Sequence, residues 1–217
     1  MQRLTNTVKT IIIINVILWI ATILLIQSKI IDLNSIFALH YFESPNYGIW
    51  QFITHMFMHA SFDPNGQIVF FHILFNMVGV WMFGSALETI WGRNKFLFFY
   101  FSTGLGAALL HFLASYLQQP SEFQLLYGQM VGASGALYGI LVAFAMNYPN
   151  AELMLIFLPV PIKAKYFVPL IILGDVFFGI SGTNTGIAHF AHIGGALIGF
   201  IMMWYWKKNQ FNKNRWN

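Results

Sequence analysis

The chain has 217 residues, of which 58% are apolar, 18% aromatic and only 8% charged. Soluble domains are about one quarter charged, so a solvated globular surface is excluded, and 23 Phe with 7 Trp exclude a disordered or collagen-like chain. The absence of Cys removes disulfide scaffolds, thiol catalysis and Cys-based zinc sites. A net charge of +4 and a pI of about 9.3 invite a nucleic-acid reading. The eleven Lys and Arg instead sit in small clusters beside apolar runs, with no nucleic-acid motif, which is the pattern of membrane topology. The composition therefore reads as one all-α polytopic membrane domain, residues 1–217.

A bilayer-spanning helix needs about 20 mostly apolar residues. In chain order the predicted spans are Val8–Ser28, Gln67–Leu87, Phe96–Leu117, Val131–Tyr148, Tyr166–Ile180 and Ile187–Trp206. The first lacks a small-residue cleavage site and is expected to be an uncleaved anchor. Residues 29–66 form a long outward loop, in which Trp50–Phe62 is expected as an amphipathic helix lying at the interface. Ala151–Pro161 is apolar but short and Pro-broken, and is assigned to an interface.

Charge placement tests the count. With six transmembrane helices, Arg3, Lys9, Arg93, Lys95, Lys163, Lys165, Lys207, Lys208, Lys213 and Arg215 fall on one side and only Lys29 on the other. The outward segments carry Asp32, Glu43, Asp63 and Glu122. This bias predicts that both termini are cytoplasmic, since an odd number of spans would separate the terminal clusters.

Polar groups are costly within apolar spans and mark the places to look for chemistry. His72 and Asn76 are one turn apart on one face of the second span. The fourth span opens with Gly132, Ala133, Ser134 and Gly135, and continues to Tyr138 and Gly139. The sixth holds His189 and His192, then Gly194, Gly195 and Gly199. Gly135 and Gly139 are four apart, as are Gly195 and Gly199, so each pair makes a smooth face that lets two backbones approach closely. Gly194 lies off that face. If the two faces meet, Ser134 and His192 come together as a nucleophile and a base require. His72, Asn76 and the amides at the start of the fourth span supply donors for an oxyanion. Taken singly, His72 and Asn76 read as interhelical hydrogen bonds, His192 as a core imidazole and the glycines as packing. Packing alone has no need of all of them at one depth.

These motifs together resemble the rhomboid intramembrane serine proteases. The G-x-S-G form is Gly132-Ala133-Ser134-Gly135, followed by Tyr138. The H-x-x-G-x-x-x-G form runs from His192 through Gly195 to Gly199, and the H-x-x-x-N form from His72 to Asn76. Glu88 to Lys95 matches an E-x-x-x-G-x-x-K turn, and His55 and His59 are similar to histidines that precede the second span in many members. Asp63-Pro64-Asn65-Gly66 is an insertion relative to compact members.

The resemblance implies a rhomboid-like six-helix bundle and a serine endopeptidase with Ser134 as nucleophile and His192 as general base. It implies oxyanion donors at His72, Asn76 and the Ser134 amide, Tyr138 stacked on His192, and a small pocket beside Gly132 and Gly135. No metal and no cofactor are implied. The partners expected are the lipid bilayer and single-span membrane proteins, cleaved near the outer face, with Phe177 and Phe178 as gate candidates. The expected location is a bacterial inner membrane. The rival reading is a proteolytically inactive rhomboid-like protein that binds membrane clients, against which stand the intact Ser134 and His192. A metal site at His55, His59 and His72 is disfavoured, because no H-E-x-x-H is present. His189 is read as a decoy, and the family uses a dyad, which leaves Asp175 in the fifth span without an assigned role.

Overall fold

The computed structural model describes residues 3–118, 121, 124, 128–155, 158–181 and 185–209. Glu122, Lys213 and Arg215, which enter the charge count above, lie outside them. The described chain is mostly helical, and each predicted span corresponds to one helix: α1 (Asn6–Gln27), α2 (Phe71–Trp91), α3 (Arg93–Gln118), α4 (Ser134–Asn147), α5 (Ala164–Ser181) and α6 (His189–Lys208). Of these, α1, α2, α3 and α5 are long and apolar enough to cross a membrane by length and composition. Helix α4 has only 14 residues. Helix α6 has 20 residues and closes on Lys207 and Lys208, which suit the negative end of a helix dipole.

Helix α2 departs most from its predicted bounds. It begins at Phe71 and not at Gln67, because the inserted Asp63–Gly66 stretch makes a turn. The Asp63 carboxylate accepts from the amides of Asn65 and Gln67, Gly66 takes φ +78°, and Phe62 bridges Ile68. The residues before Phe71 are thereby committed to a hairpin. Beyond Gly79 the helix widens into a π turn over Val80–Gly84 and then runs on to Trp91. Gly92, with φ +76°, ends it in the left-handed region and opens the turn into α3.

One expected interfacial segment also differs. Within Trp50–Phe62 only Gln51–Thr54 and His55–Phe57 are helical, the latter as a 3₁₀ turn. Gln51, His55, Met56 and His59 are almost fully buried while Trp50 and Ile53 are exposed, so this stretch is two short helical turns packed inward on one side and not one continuous amphipathic helix. Gln51 accounts for the difference: it accepts from the His40 amide and donates to the carbonyls of Ile36 and Asn46, pulling the loop inward. The described residues of Ala151–Pro161 contribute to an antiparallel strand pair, β3 (Glu152–Leu155) with β4 (Leu158–Lys163). A second short pair joins β1 (Leu39–His40) to β2 (Gln129–Met130), tying the outward loop to the residues before α4.

The centre of the molecule is α3, α4 and α6. A Cβ on Gly135 would collide with Ala107 of α3, one on Gly106 with Ile198 of α6, and one on Gly195 with the Gly135 backbone. Three helices therefore approach at a common level where small residues face each other. Gly194 is not idle either, since its Cβ position is 2.6 Å from the Gly106 carbonyl oxygen. Helix α1 packs at the edge, with Val8 and Ile11 buried and Ile13, Ile17 and Leu24 exposed. Its start is held by buried Glu88, which accepts from the Thr5 hydroxyl and from the amides of Thr7 and Val8 at 3.2 and 3.1 Å. Those amides are among the first-turn donors that a helix leaves unpaired.

Candidate active site

Ser134 is the first residue of α4, and Gly132, two residues earlier, has φ +121°. That conformation is reserved for glycine, and the Gly132 amide is pinned by the His55 carbonyl at 3.0 Å. His55 thus contributes through its backbone. The first amides of α4 have no carbonyl four residues back in their own helix and form a concentration of donors beside Ser134.

His192 lies in the first turn of α6, where α6 and α4 meet through their glycines. Its Nε2 is 2.9 Å from Ser134 Oγ, and its Nδ1 is 3.0 Å from Asp175 Oδ1 on α5. The Tyr138 ring lies parallel to the imidazole, with centroids 4.2 Å apart and an interplanar angle of 12°. The tautomer follows from the neighbours: the carboxylate can only accept, so the proton sits on Nδ1 and Nε2 is free to accept from the serine hydroxyl.

His72 stands on the opposite wall. Its Nδ1 accepts from the Ala60 amide at 3.1 Å, so in the neutral ring Nε2 carries the proton. The Ala60 carbonyl in turn accepts from Trp19 Nε1 of α1, which anchors the residue whose amide orients His72. A Cβ at Gly132 would fall 3.1 Å from His72 Nε2 and 3.7 Å from Ser134 Oγ. The space left by that absent side chain is therefore shared by a ring N–H donor and the hydroxyl. Asn76, buried one turn along α2, donates one Nδ2 hydrogen to the His72 carbonyl at 2.9 Å and has a second to offer. These groups line a cavity of about 980 Å³, which also includes exposed Phe71 and Ile187 on its wall.

His59 is buried against His72, with ring centroids 5.1 Å apart, and its Nε2 bonds Asn15 Oδ1 at 2.8 Å. It is a strut between the outward loop and α1. Phe177 and Phe178 are exposed on α5. Sequence reasoning had no role for Asp175 and treated His189 as a decoy. The structure brings both to the site, with His189 Nδ1 at 2.6 Å from Asp175 Oδ1. The available signal was the cost of an ionisable residue in an apolar span, which marks a functional candidate whatever the motif.

Comparison with known proteins adds that a model of the Rhomboid domain matches residues 46–209. The chain belongs to the rhomboid family. Among rhomboid relatives, the mitochondrial Rhomboid protein 1 of Saccharomyces cerevisiae is 32% identical over 143 residues, covering 64% of this chain and 39% of that protein. The mitochondrial presenilin-associated rhomboid-like protein of Mus musculus is 35% identical over 136 residues, covering 62% of this chain and 33% of that protein. Rhomboid protease AarA of Providencia stuartii is 30% identical over 170 residues, covering 70% of this chain and 54% of that protein. The matches thus span between a third and just over half of these relatives' lengths. The rhomboid family includes intramembrane serine proteases, and this rhomboid carries the helices of a membrane-spanning protein.

Proposed function

We propose that this rhomboid is an intramembrane serine endopeptidase that cleaves single-span membrane proteins near the outer face of the bilayer. The observation that carries the reading is the 2.9 Å contact between Ser134 Oγ and His192 Nε2, on the wall of a cavity that also holds His72 and Asn76. In this mechanism the Ser134 hydroxyl proton passes to His192 Nε2 as Oγ bonds to the scissile carbonyl carbon. The carbonyl oxygen becomes an oxyanion held by His72 Nε2–H, the Asn76 amide and the first amides of α4. Collapse breaks the C–N bond, and His192 returns its proton to the leaving amine. Water then attacks the ester carbon, gives a proton to His192, and releases the acid and Ser134.

The topology proposed is one membrane domain of six spans with both termini cytoplasmic. It rests on the basic clusters at the inward ends, including Lys207 and Lys208 at the close of α6. Fourteen residues of α4 reach about 21 Å, against about 30 Å of hydrocarbon. With Asn147 level with the inner boundary, Ser134 lies roughly 9 Å below the outer one, and the cavity supplies the water that hydrolysis needs. A substrate helix must unwind there to present a peptide bond, so helix-weakening residues near its outer end favour cleavage. Gly132 and Gly135 beside the nucleophile suit a small substrate side chain. We assign the chain to a bacterial inner membrane, because six spans with cytoplasmic termini match the basic bacterial form of the family.

The test is cleavage of a generic single-span substrate by purified protein in detergent. Ser134→Ala and His192→Ala should each abolish cleavage with little change in melting, and the double variant should be no worse, because the pair acts as one unit. Cleavage that survives in Ser134→Ala overturns the reading.

A further inference from the structure

The one carboxylate in the fifth helix is at the centre of a hydrogen-bonded chain. Asp175 Oδ1 accepts from His192 Nδ1 at 3.0 Å and from His189 Nδ1 at 2.6 Å. His189 Nε2 is 2.7 Å from Thr185 Oγ1, and that oxygen accepts from the Ile187 amide at 3.2 Å. One proton assignment satisfies all of these contacts. The Ile187 amide donates to Thr185, the Thr185 hydroxyl to His189 Nε2, both Nδ1–H groups to Asp175, and Ser134 Oγ–H to His192 Nε2.

We infer that Asp175 is a positioning residue for the base, so that this rhomboid works with a Ser134–His192–Asp175 constellation and not with a bare dyad. The inference rests on the proposed serine-protease reading. Three physical consequences support it. A carboxylate on Nδ1 holds the imidazole in the tautomer whose Nε2 can take the serine proton. It stabilises the imidazolium that forms when that proton arrives, without itself being protonated. It also limits sliding of the imidazole within its own plane, which Tyr138 stacking alone permits. His189 secures the second contact to the same oxygen and so fixes the carboxylate.

The cluster Asp175, His189 and His192 has a donor set of the kind that binds a metal ion. The N···O separations of 2.6 and 3.0 Å are hydrogen-bond lengths, and the proton assignment above uses both Nδ1–H groups as donors to Asp175. A purely structural role, as a tether of α5 to α6, is the competing account: beyond Val168, Asp175 is the sole buried residue among those described on α5.

Two measurements separate these accounts. The first is the kinetics of Asp175→Asn with a single-span substrate, together with the rate at which a fluorophosphonate labels Ser134. A positioning role lowers kcat and labelling by about 100- to 10,000-fold, with KM within about threefold and melting little changed. Labelling and kcat within threefold of wild type overturn it. The second needs no variant to be active: ¹⁵N spectra of histidine-labelled wild-type protein, with His192 assigned by difference from His192→Ala. The proton is expected on Nδ1, and a proton on Nε2 overturns the proposal even if Asp175→Asn fails to fold. Failure of the parent reading looks different, since wild type then labels no faster than Ser134→Ala while the Nδ1 tautomer is still observed.

Discussion

The carbonyl of Gly135 on α4 occupies the place that a side chain at Gly195 on α6 would need. One turn further on, the Cβ position of Gly199 is 2.7 Å from the Gly139 Cα. Backbone thus meets backbone along two turns, and this contact brings the base to the nucleophile. Gly199→Val should push α6 outward and cripple cleavage although it lies about two turns from His192. A displacement of about 1 Å costs about a hundredfold in rate. Melting should fall as well. Full activity with unchanged melting would remove these glycines from the argument.

Gly194 lies off that face, and Gly194→Ala should be milder than Gly195→Ala, whose Cβ position is 1.8 Å from the Gly135 carbonyl oxygen. Gly194 instead faces α3, with its Cβ position 2.8 Å from the Leu110 Cβ and 3.0 Å from the Ala107 Cα. Gly194→Ala should therefore also lower the melting temperature, through α3 and not α4. Equal melting of wild type and Gly194→Ala would contradict this.

Asn76→Ala should lower kcat by roughly 10- to 1,000-fold with KM less affected, as for one oxyanion donor among several. Its bond to the His72 carbonyl stays within one helix, so the loss should not register strongly in stability. A kcat equal to wild type would return Asn76 to packing.

Glu88→Ala should destabilise the protein while leaving the site chemistry intact at low temperature. The buried carboxylate accepts from two amides and a hydroxyl at the start of α1, and hydrogen bonds to charged groups contribute about 1.5–3 kcal/mol each. Thermal melts read by loss of fluorophosphonate labelling check this. A melting temperature equal to wild type would mean that α1 is held elsewhere.

The outward loop should make stability acid-sensitive. Burial pushes His55 down to about 4, and burial followed by the neighbouring His72 pushes His59 down to about 3, from an ordinary value near 6.5. Both are neutral in the folded loop, whereas the unfolded chain takes up protons below about pH 6.5. Stability from this source is complete above that pH and declines as pH falls toward 3–4, by about 1.4 kcal/mol per pH unit for each histidine. Melts between pH 7.5 and 4.5 should show the decline, and His59→Gln should flatten it. A pH-independent melting temperature would count against neutral burial.

The spans were legible because lipid imposes a length and an apolarity that composition reports directly. The Ser134, His192, His72 and Asn76 motifs were legible because helical spacing puts i and i+4 residues on one face. Local chemistry also favoured Gly132 and Gly92 at the strained turns, where positive φ is cheap only without a Cβ. The turn at Asp63–Gly66 is visible in the sequence as an insertion, but its effect, delaying α2 until Phe71, depends on the local hydrogen bonds of the Asp63 carboxylate and the Phe62–Ile68 bridge, which composition does not encode. The π turn at Val80–Gly84 belongs to the same class. What only the tertiary structure decided is which groups meet across helices. Asp175 and His192 are 17 residues apart on separate helices, and no periodicity relates them. Their contact follows from how α5 lies against α6. Likewise, which helix Gly194 faces follows from the rotation of α6 about its axis, which packing against two neighbours sets and a pattern of small residues leaves open.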